Sequence, residues 1–130
     1  MSQTVNYANL LSRLMKLDDN IRFAAVTNMD GEILSSDSKP NSELYLSPDD
    51  TKETIQHAIS AWKSRKKYCD KIGEGVYTLA VYQKLRRATI PLPSGNMLLV
   101  TIDNSGGQKQ IMDKILNEIN VHDYTVAPPE

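Results

Sequence analysis

Residues 27–37, which read TNMDGEILSSD, place carboxylates beside a glycine, and such a stretch could hold a cation. A calcium-binding EF-hand loop needs oxygen ligands at positions 1, 3 and 5, glycine at position 6 and glutamate at position 12. With Gly31 at position 6, Val26 falls at position 1 and Asp37 at position 12. Val26 offers no side-chain oxygen, so the stretch predicts a tight turn over residues 28–31 instead, with Gly31 at positive φ.

Other residue types that bind metals or perform catalysis are sparse. The chain has one cysteine, Cys69, and two histidines, His57 and His122, which lack the spacing of zinc ligands. Cys69 follows lysines at the predicted end of a helix, where the helix dipole opposes a thiolate, so we predict a partly buried structural thiol. No acid–base pair or activated nucleophile is recognisable, and we predict no catalytic residue, metal, cofactor or enzymatic activity.

The segment NSGGQK at residues 104–109 joins an apolar strand to a helix. Backbone N–H groups at such a helix start could receive an anion. The glycine-and-lysine spacing of a phosphate-binding loop is absent, however, which favours Ser105 as a plain helix cap.

Positive charge is concentrated between residues 63 and 87. This stretch holds eight of the 15 basic residues and two of the 16 acidic ones, a net of +6, which leaves −7 for the rest of the chain. The cluster could bind an acidic partner or nucleic acid, or it could be a solvated helix end. No run of aromatic residues suited to base stacking accompanies it, which argues against nucleic acid. The residues of this predicted basic patch are Lys63, Arg65, Lys66, Lys67, Lys84, Arg86 and Arg87.

The bulk composition is that of one globular domain. The chain has 130 residues, 40% of them hydrophobic and 24% charged, with a formal net charge of −1. A single cysteine favours a reducing compartment, and neither a signal peptide nor an apolar run of the ~18 residues needed to span a membrane is present. We predict a soluble, cytoplasmic protein.

The periodicity of apolar residues predicts three helices and five strands. The second helix has the clearest start, because Ser47 can cap it and Pro48 suits its first position. The order α-β-β-α-β-β-β-α predicts an α+β fold in which one helix covers one face of a five-stranded antiparallel sheet and two helices cover the other. The predicted helices are 7–18, 47–72 and 105–120, the strands are 21–27, 32–36, 76–82, 86–92 and 97–103, a loop spans 38–46, the domain spans 1–121, and 122–130 form an extended or disordered tail.

The strand VYTLAVY at residues 76–82 is apolar, and an apolar strand left at the edge of a sheet aggregates unless it is paired or covered. This hazard is a physical argument for self-association. Trp62, the single tryptophan, either packs against the sheet or anchors a dimer. The predicted dimer interface comprises Ile55, Ile59, Trp62, Tyr77, Leu79 and Val81.

Three stretches of the sequence resemble the Roadblock family, which is named for a dynein light chain. They are the first helix YANLLSRLMKL, the strand-turn-strand FAAVTNMDGEILSSD and the closing MLLVTIDNSGGQKQIMDKILNEI. The resemblance in element order covers roughly residues 7–120.

The resemblance implies a non-catalytic module that forms homo- or heterodimers by joining sheets edge to edge and packing the middle helices. The joined platform of such a protein binds small GTPases, motor chains or signalling partners. The same order of elements also suits a PAS-, GAF- or profilin-like sensor, whose ligand pocket would lie between the sheet and the 38–46 loop with Tyr45 as a lid. Binding of an acidic partner or of nucleic acid through the basic cluster at residues 63–87 is the third alternative.

Overall fold

The structure is a computed structural model that describes residues 7–40 and 46–121, without the side chains of residues 120 and 121. The predicted lid residue Tyr45 and the predicted tail at 122–130 lie outside the described residues. The predicted order of elements is confirmed, with a short helix added after α2. The elements are α1 (Tyr7–Leu17), β1 (Ile21–Thr27), β2 (Ile33–Ser38), α2 (Pro48–Arg65), a 3-10 turn (Lys66–Tyr68), α3 (Cys69–Ile72), β3 (Thr78–Val81), β4 (Leu85–Pro91), β5 (Met97–Asp103) and α4 (Gln108–Val121).

All five strands form one antiparallel sheet in the order β2-β1-β5-β4-β3. The last strand, β5, therefore lies in the middle, and Val100 pairs with Ala24 on one side and with Ala88 on the other. This position agrees with its sequence, MLLVTID, since a strand covered on both faces must be apolar on both. Strands β2 and β3 form the two edges.

Helices α1 and α4 cover one face of the sheet and build the larger core. Leu10, Leu11 and Leu14 of α1 and Ile111 and Ile115 of α4 are all buried in it. Their three- and four-residue spacing makes one apolar stripe on each helix, as the sequence predicted. Burial of each such side chain contributes about 1.5–3 kcal/mol to stability. Their partners in the sheet are Val26, Leu98, Val100 and Ile102.

Helix α2 covers the opposite face with a smaller core. Ile55, Ile59 and Trp62 pack against Met97 and Leu99 of β5. The predicted arrangement of one helix on one face and two on the other is confirmed.

The turn between β1 and β2 is held by Asn28. Its side-chain oxygen accepts the backbone N–H groups of Asp30 at 2.9 Å and Glu32 at 3.0 Å. Gly31 has φ of +92°, and a Cβ on it would lie 2.1 Å from Nε2 of Gln56 in α2. The predicted turn is thus confirmed, and the backbone conformation favours glycine there, whereas the exposed tip of the Gln56 side chain could move aside.

Helix α2 begins as the sequence predicted, because Oγ of Ser47 accepts the backbone N–H of Asp50 at 3.0 Å. The helical path continues through the 3-10 turn and α3 and ends at Gly73, whose φ is +91°. Ser105, by contrast, is not the cap of α4. That helix starts at Gln108, and the N–H of Ile111 bonds to the carbonyl of Gly107 at 3.1 Å.

Candidate interaction surface

Exposed apolar side chains are concentrated between the end of α2 and the edge strand β3. Residues 7–40 and 46–121 hold nine large hydrophobic side chains that are exposed, and six of these fall between residues 68 and 82. The most exposed are Ile72 at 83% and Val81 at 64%. These residues are close together in the chain, and contiguous apolar surface marks interaction sites more often than scattered single residues do. The six are Tyr68, Ile72, Val76, Tyr77, Val81 and Tyr82.

Strand β3 adds unpaired backbone to this surface. It pairs with β4 on one side only. The N–H of Tyr82 bonds to the carbonyl of Leu85 at 2.8 Å, so alternate residues before Tyr82 also point toward β4. By the same alternation, Leu79 and Val81 direct their N–H and C=O groups outward. The β3 edge therefore offers both hydrogen-bonding groups and apolar side chains to another strand.

A groove runs beside this edge, between α2 and strands β3 and β4. Its walls include Ala58 and Ala61 of α2 and Thr78 and Ala80 of β3, and its volume is about 440 Å³. The groove adjoins a more apolar hollow of about 650 Å³. The two spaces share lining residues that include Tyr82, Arg87 and Leu99. Other lining residues of the hollow include Phe23, Ser38, Leu46 and Leu85.

Trp62 holds α2 onto the sheet. It is 6% exposed, and its Nε1 donates to Oγ1 of Thr89 at 2.9 Å. The Thr89 hydroxyl also bonds to that of Thr78 at 2.7 Å, which links α2, β4 and β3.

The residues of the predicted dimer interface occupy two places. Ile55, Ile59 and Trp62 face the sheet from α2 and are buried. Leu79 of β3 packs against the other core, formed by α1 and α4, on the opposite face of the sheet. Val81, two residues further along β3, points to the same face as Leu79, and both Val81 and Tyr77 are exposed. The described chain therefore does not bring the six residues onto one surface.

Arg86 does not join the predicted basic patch, because the residue is buried and only 5% exposed. Its Nε donates to the carbonyl of Asp103 at 3.0 Å, and its Nη atoms donate to the carbonyls of Ser105 and Gly106. A buried guanidinium needs such acceptors to offset its loss of water. Arg86 is thus a clamp on the loop between β5 and α4.

Arg87 points to the other face of β4 and lines both the groove and the hollow. It is half-buried, and burial lowers the pKa of its guanidinium below the ordinary value, while the nearby Tyr82 opposes this effect. Burial disfavours the charged form of any basic group that lacks an anionic partner.

The remaining basic residues are divided between two ends of the groove. Lys63, Arg65, Lys66 and Lys67 are exposed around the end of α2, where Arg65 lies 5.0 Å from the centre of the Trp62 ring. Lys84 is on the β3–β4 turn, which borders the first half of α2 instead. The sequence places these residues close together in the chain, but α2 runs back across the sheet and separates them.

The predicted structural thiol of Cys69 is partly buried, and its Sγ donates to the carbonyl of Lys66 at 3.2 Å. In the part of the chain that the structure describes, no three His, Cys, Asp or Glu side chains come together where they could hold a metal ion. None of the described helices is both long enough and apolar enough to cross a membrane.

Sequence reasoning missed Tyr68 and Ile72 as surface residues, whereas Val76 and Tyr82 belong to the stretch 76–82 that it predicted as an apolar edge strand. Gly73 marks the end of the helix, but no local pattern shows that Ile72 lies beyond the reach of both cores. The role of Arg86 had a weak signal, namely its alternation with Ala88 and Ile90 on the buried face of β4.

Comparison with solved structures shows the same fold. The chain is similar to MglB in a structure with a tetrameric arrangement, with a TM-score of 0.72 and 11% identity over 92% of this chain and 91% of that one. Myxococcus xanthus MglB gives a TM-score of 0.66 and 17% identity over 88% of this chain and 92% of that one. A Roadblock/LC7 domain from Streptomyces avermitilis gives a TM-score of 0.65 and 14% identity over 86% of this chain and 90% of that one. The chain therefore has the Roadblock/LC7 fold, which confirms the resemblance.

No curated protein matches the sequence. Residues 4–124, however, match the profile of a family of unknown function, DUF6659, over nearly the whole described fold. The chain thus combines the Roadblock/LC7 fold with membership of a sequence family, and it belongs to DUF6659.

Proposed function

We propose that this chain is a non-catalytic interaction module that forms a homodimer by joining two β3 edges, so that the two sheets make one platform for a protein partner. The observation that carries the proposal is the group of exposed apolar side chains beside an open strand edge, at residues 68–82. Pairing of the edges would satisfy the outward N–H and C=O groups of Leu79 and Val81 and remove the side chain of Val81 from water.

The resemblance to Roadblock proteins supports this function and the class of partner. Proteins of that family join sheets edge to edge and bind small GTPases or signalling proteins on the joined surface. We extend the same role to this chain, as a regulator or scaffold for a small GTPase. The exposed lysines at 63, 66 and 67 give each end of the platform a cationic surface suited to an acidic partner.

The homodimer is tested by light scattering over a series of micromolar concentrations. The wild type is expected at twice its 14.6 kDa chain mass. Val81→Lys places a charge on the β3 edge and is expected to give single chains, because an edge lysine opposes strand pairing. Ile33→Lys is the matched control, since Ile33 is also exposed but lies on the opposite edge strand, β2. A wild type that stays at one chain mass throughout contradicts the proposal.

The partner class is tested with purified small GTPases from the same organism, loaded with GDP or with a non-hydrolysable GTP analogue. Binding to one nucleotide state, and its loss in Val81→Lys, is the expected result. Equal binding to both states, or no binding to any GTPase offered, contradicts a regulatory role while leaving the homodimer intact.

A small-molecule sensor is the second candidate, and the hollow of about 650 Å³ favours it. Its volume is typical of ligand sites, and Ser38 and Leu46 border it from the two described ends of the loop under which the pocket was predicted. Leu99→Trp would fill the hollow. A metabolite that raises the melting temperature of the wild type but not of Leu99→Trp would support this function, and equal shifts in both proteins would contradict it.

A further inference from the structure

The hollow lies where the sheet-facing stripe of α2 changes character. Ile55 and Ile59 of this stripe are buried against the sheet. Four residues before Ile55, the same stripe has Thr51, whose side chain is shorter and carries a hydroxyl group. Thr51 and Thr54 therefore line an open space of about 650 Å³ where a larger apolar side chain would have closed it.

The floor of the hollow is one row of side chains across the sheet. Thr101 of β5 is paired with Phe23 of β1 on one side and with Arg87 of β4 on the other. Residues directly opposite each other point to the same face of a sheet, and all three line the hollow. Because neighbouring strands lie ~4.8 Å apart, about 10 Å separates the aromatic end of the row at Phe23 from its cationic end at Arg87.

The charged side chains in the described lining of the hollow are all basic. They are Arg22, Lys84 and Arg87, and the described lining contains no aspartate or glutamate. Arg22 has an anionic partner, since its Nη1 lies 2.7 Å from Oδ1 of Asp103. The guanidinium of Arg87 is half-buried, yet within residues 7–40 and 46–121 it takes part in no ion pair and no hydrogen bond. Burial of a charge without a partner is unfavourable, so the hollow is matched to a negatively charged ligand.

Much of the remaining surface of the hollow is apolar. Phe23, Leu85 and Leu99 contribute it from the sheet, and Leu46 contributes it from the position before the Ser47 cap. An anion that is polar on all sides, such as inorganic phosphate, would leave this surface uncovered. A ligand with one charged end and a hydrocarbon body covers both parts. With bonds of ~1.5 Å, a chain of about eight carbon atoms spans the row of the floor.

We propose that the hollow binds a medium-chain organic carboxylate, with the carboxylate on the guanidinium of Arg87 and the hydrocarbon chain lying over Thr101 toward Phe23. Arginine presents parallel N–H donors that match the two oxygens of a carboxylate. This inference rests on the second candidate function, the small-molecule sensor, and names its class of ligand. It does not require the homodimer, because all the lining residues belong to one chain.

Titration calorimetry with octanoate and, separately, with 1-octanol tests the contact to Arg87. The wild type is expected to bind octanoate, and to bind hexanoate about threefold to fourfold more weakly for each methylene removed. Arg87→Gln should weaken the binding of octanoate about tenfold or more and that of octanol less than threefold, because only octanoate loses a charge-assisted hydrogen bond. Arg13→Gln is the matched control, since Arg13 is exposed on α1 at the other side of the sheet, and it should leave both dissociation constants unchanged.

Two leucine variants distinguish the hollow from the adjoining groove. Thr51→Leu extends the apolar stripe of α2 into the hollow and should weaken octanoate binding about tenfold, because it takes the space of two or more methylenes. Ala61→Leu places the same side chain on the wall of the groove, outside the hollow, and should change the dissociation constant less than threefold. Thermal melting checks that each variant is folded.

The outcomes separate the ligand class from the function on which it rests. Equal losses of octanoate and octanol in Arg87→Gln, or equal losses in Thr51→Leu and Ala61→Leu, overturn the proposal. A wild type that does not bind octanoate at millimolar concentration also overturns it. If another metabolite then raises the melting temperature of the wild type but not of Leu99→Trp, the sensor function stands with a different ligand. If no metabolite does so, both are overturned.

Discussion

The two faces of the sheet differ in how completely they are covered. On one face, helices α1 and α4 enclose a continuous core, in which Leu10 of α1 and Ile115 of α4 are both buried. On the other, the single helix α2 covers the middle strands and leaves a groove and a hollow beside it. The adjacent residues Arg86 and Arg87 show the contrast at the level of one dipeptide, since the first is buried among carbonyl groups and the second lines the open groove. We infer that the closed face supplies most of the stability and the open face the binding surface.

The largest expected difference is between core truncations on the two faces. Leu14→Ala on the closed face should lower the free energy of unfolding by roughly 3–4 kcal/mol, and Ile59→Ala on the open face by about 2 kcal/mol, because a cavity collapses more easily where less protein surrounds it. Urea denaturation at one fixed protein concentration measures both values. An equal or larger loss for Ile59→Ala would remove the energetic distinction between the faces.

The arginine pair provides the next comparison. Arg86→Met should lower the free energy of unfolding by about 2–3 kcal/mol, because the carbonyl groups of Asp103, Ser105 and Gly106 lose their donor. Arg87→Met should change it by less than about 0.5 kcal/mol, since a half-buried charge without an anionic partner is replaced by an apolar side chain. The two variants are compared by urea denaturation, and similar losses in both would show that Arg87 has a stabilising contact.

Asp18, which contacts α4 on the closed face, is expected to make the stability of the protein depend on pH. Its pKa is lowered, chiefly by the backbone N–H of Asn20 and also by Lys114 of α4 at 3.1 Å. A carboxyl with a lowered folded-state pKa stabilises the protein above its ordinary pKa near 4, and this contribution is lost as the pH falls through the lower folded value. Asp18→Asn should therefore cost about 1 kcal/mol at neutral pH and progressively less as the pH falls below the ordinary pKa near 4. Denaturation across this range checks the prediction, with the exposed neighbour changed in Asp19→Asn as the control. A loss independent of pH would contradict it.

A substitution expected to raise the stability concerns Thr27, which faces the α2 side of the sheet. Its hydroxyl is fully buried and has no hydrogen-bond partner among the described residues. Thr27→Val keeps the shape and removes the unpaired group, so the free energy of unfolding should rise by up to about 1 kcal/mol. A loss of stability on thermal or urea denaturation would mean that the hydroxyl is satisfied.

Local chemistry made much of the fold predictable. The Asn28–Gly31 turn, the Ser47 cap and the doubly apolar strand 97–103 each carry a physical signature within a few residues, and the structure confirms all three. The element order then limited the architecture to one sheet with helices on both faces.

The surface was harder to predict, because it depends on which residues the fold separates. Alternation along β4 shows that Arg86 and Arg87 point to opposite faces, but it does not show which face is closed. The basic residues between 63 and 87 are neighbours in sequence, yet the chain crosses the sheet between them. The exposure of Ile72 and Val76 follows from where α3 ends relative to both cores, which no local pattern encodes.

The central position of β5 has a consequence for folding. The hairpins β1–β2 and β3–β4 are local, but they are joined only through β5, which is made last among the strands. Pairing of Ala24 with Val100 closes a long loop, and such non-local pairings slow folding. During synthesis, the inner edges of the two hairpins, on β1 and β4, would stay unpaired until residues 97–103 emerge from the ribosome. A chaperone that shields unpaired strands should therefore act on this protein during synthesis and lose its target once β5 is in place.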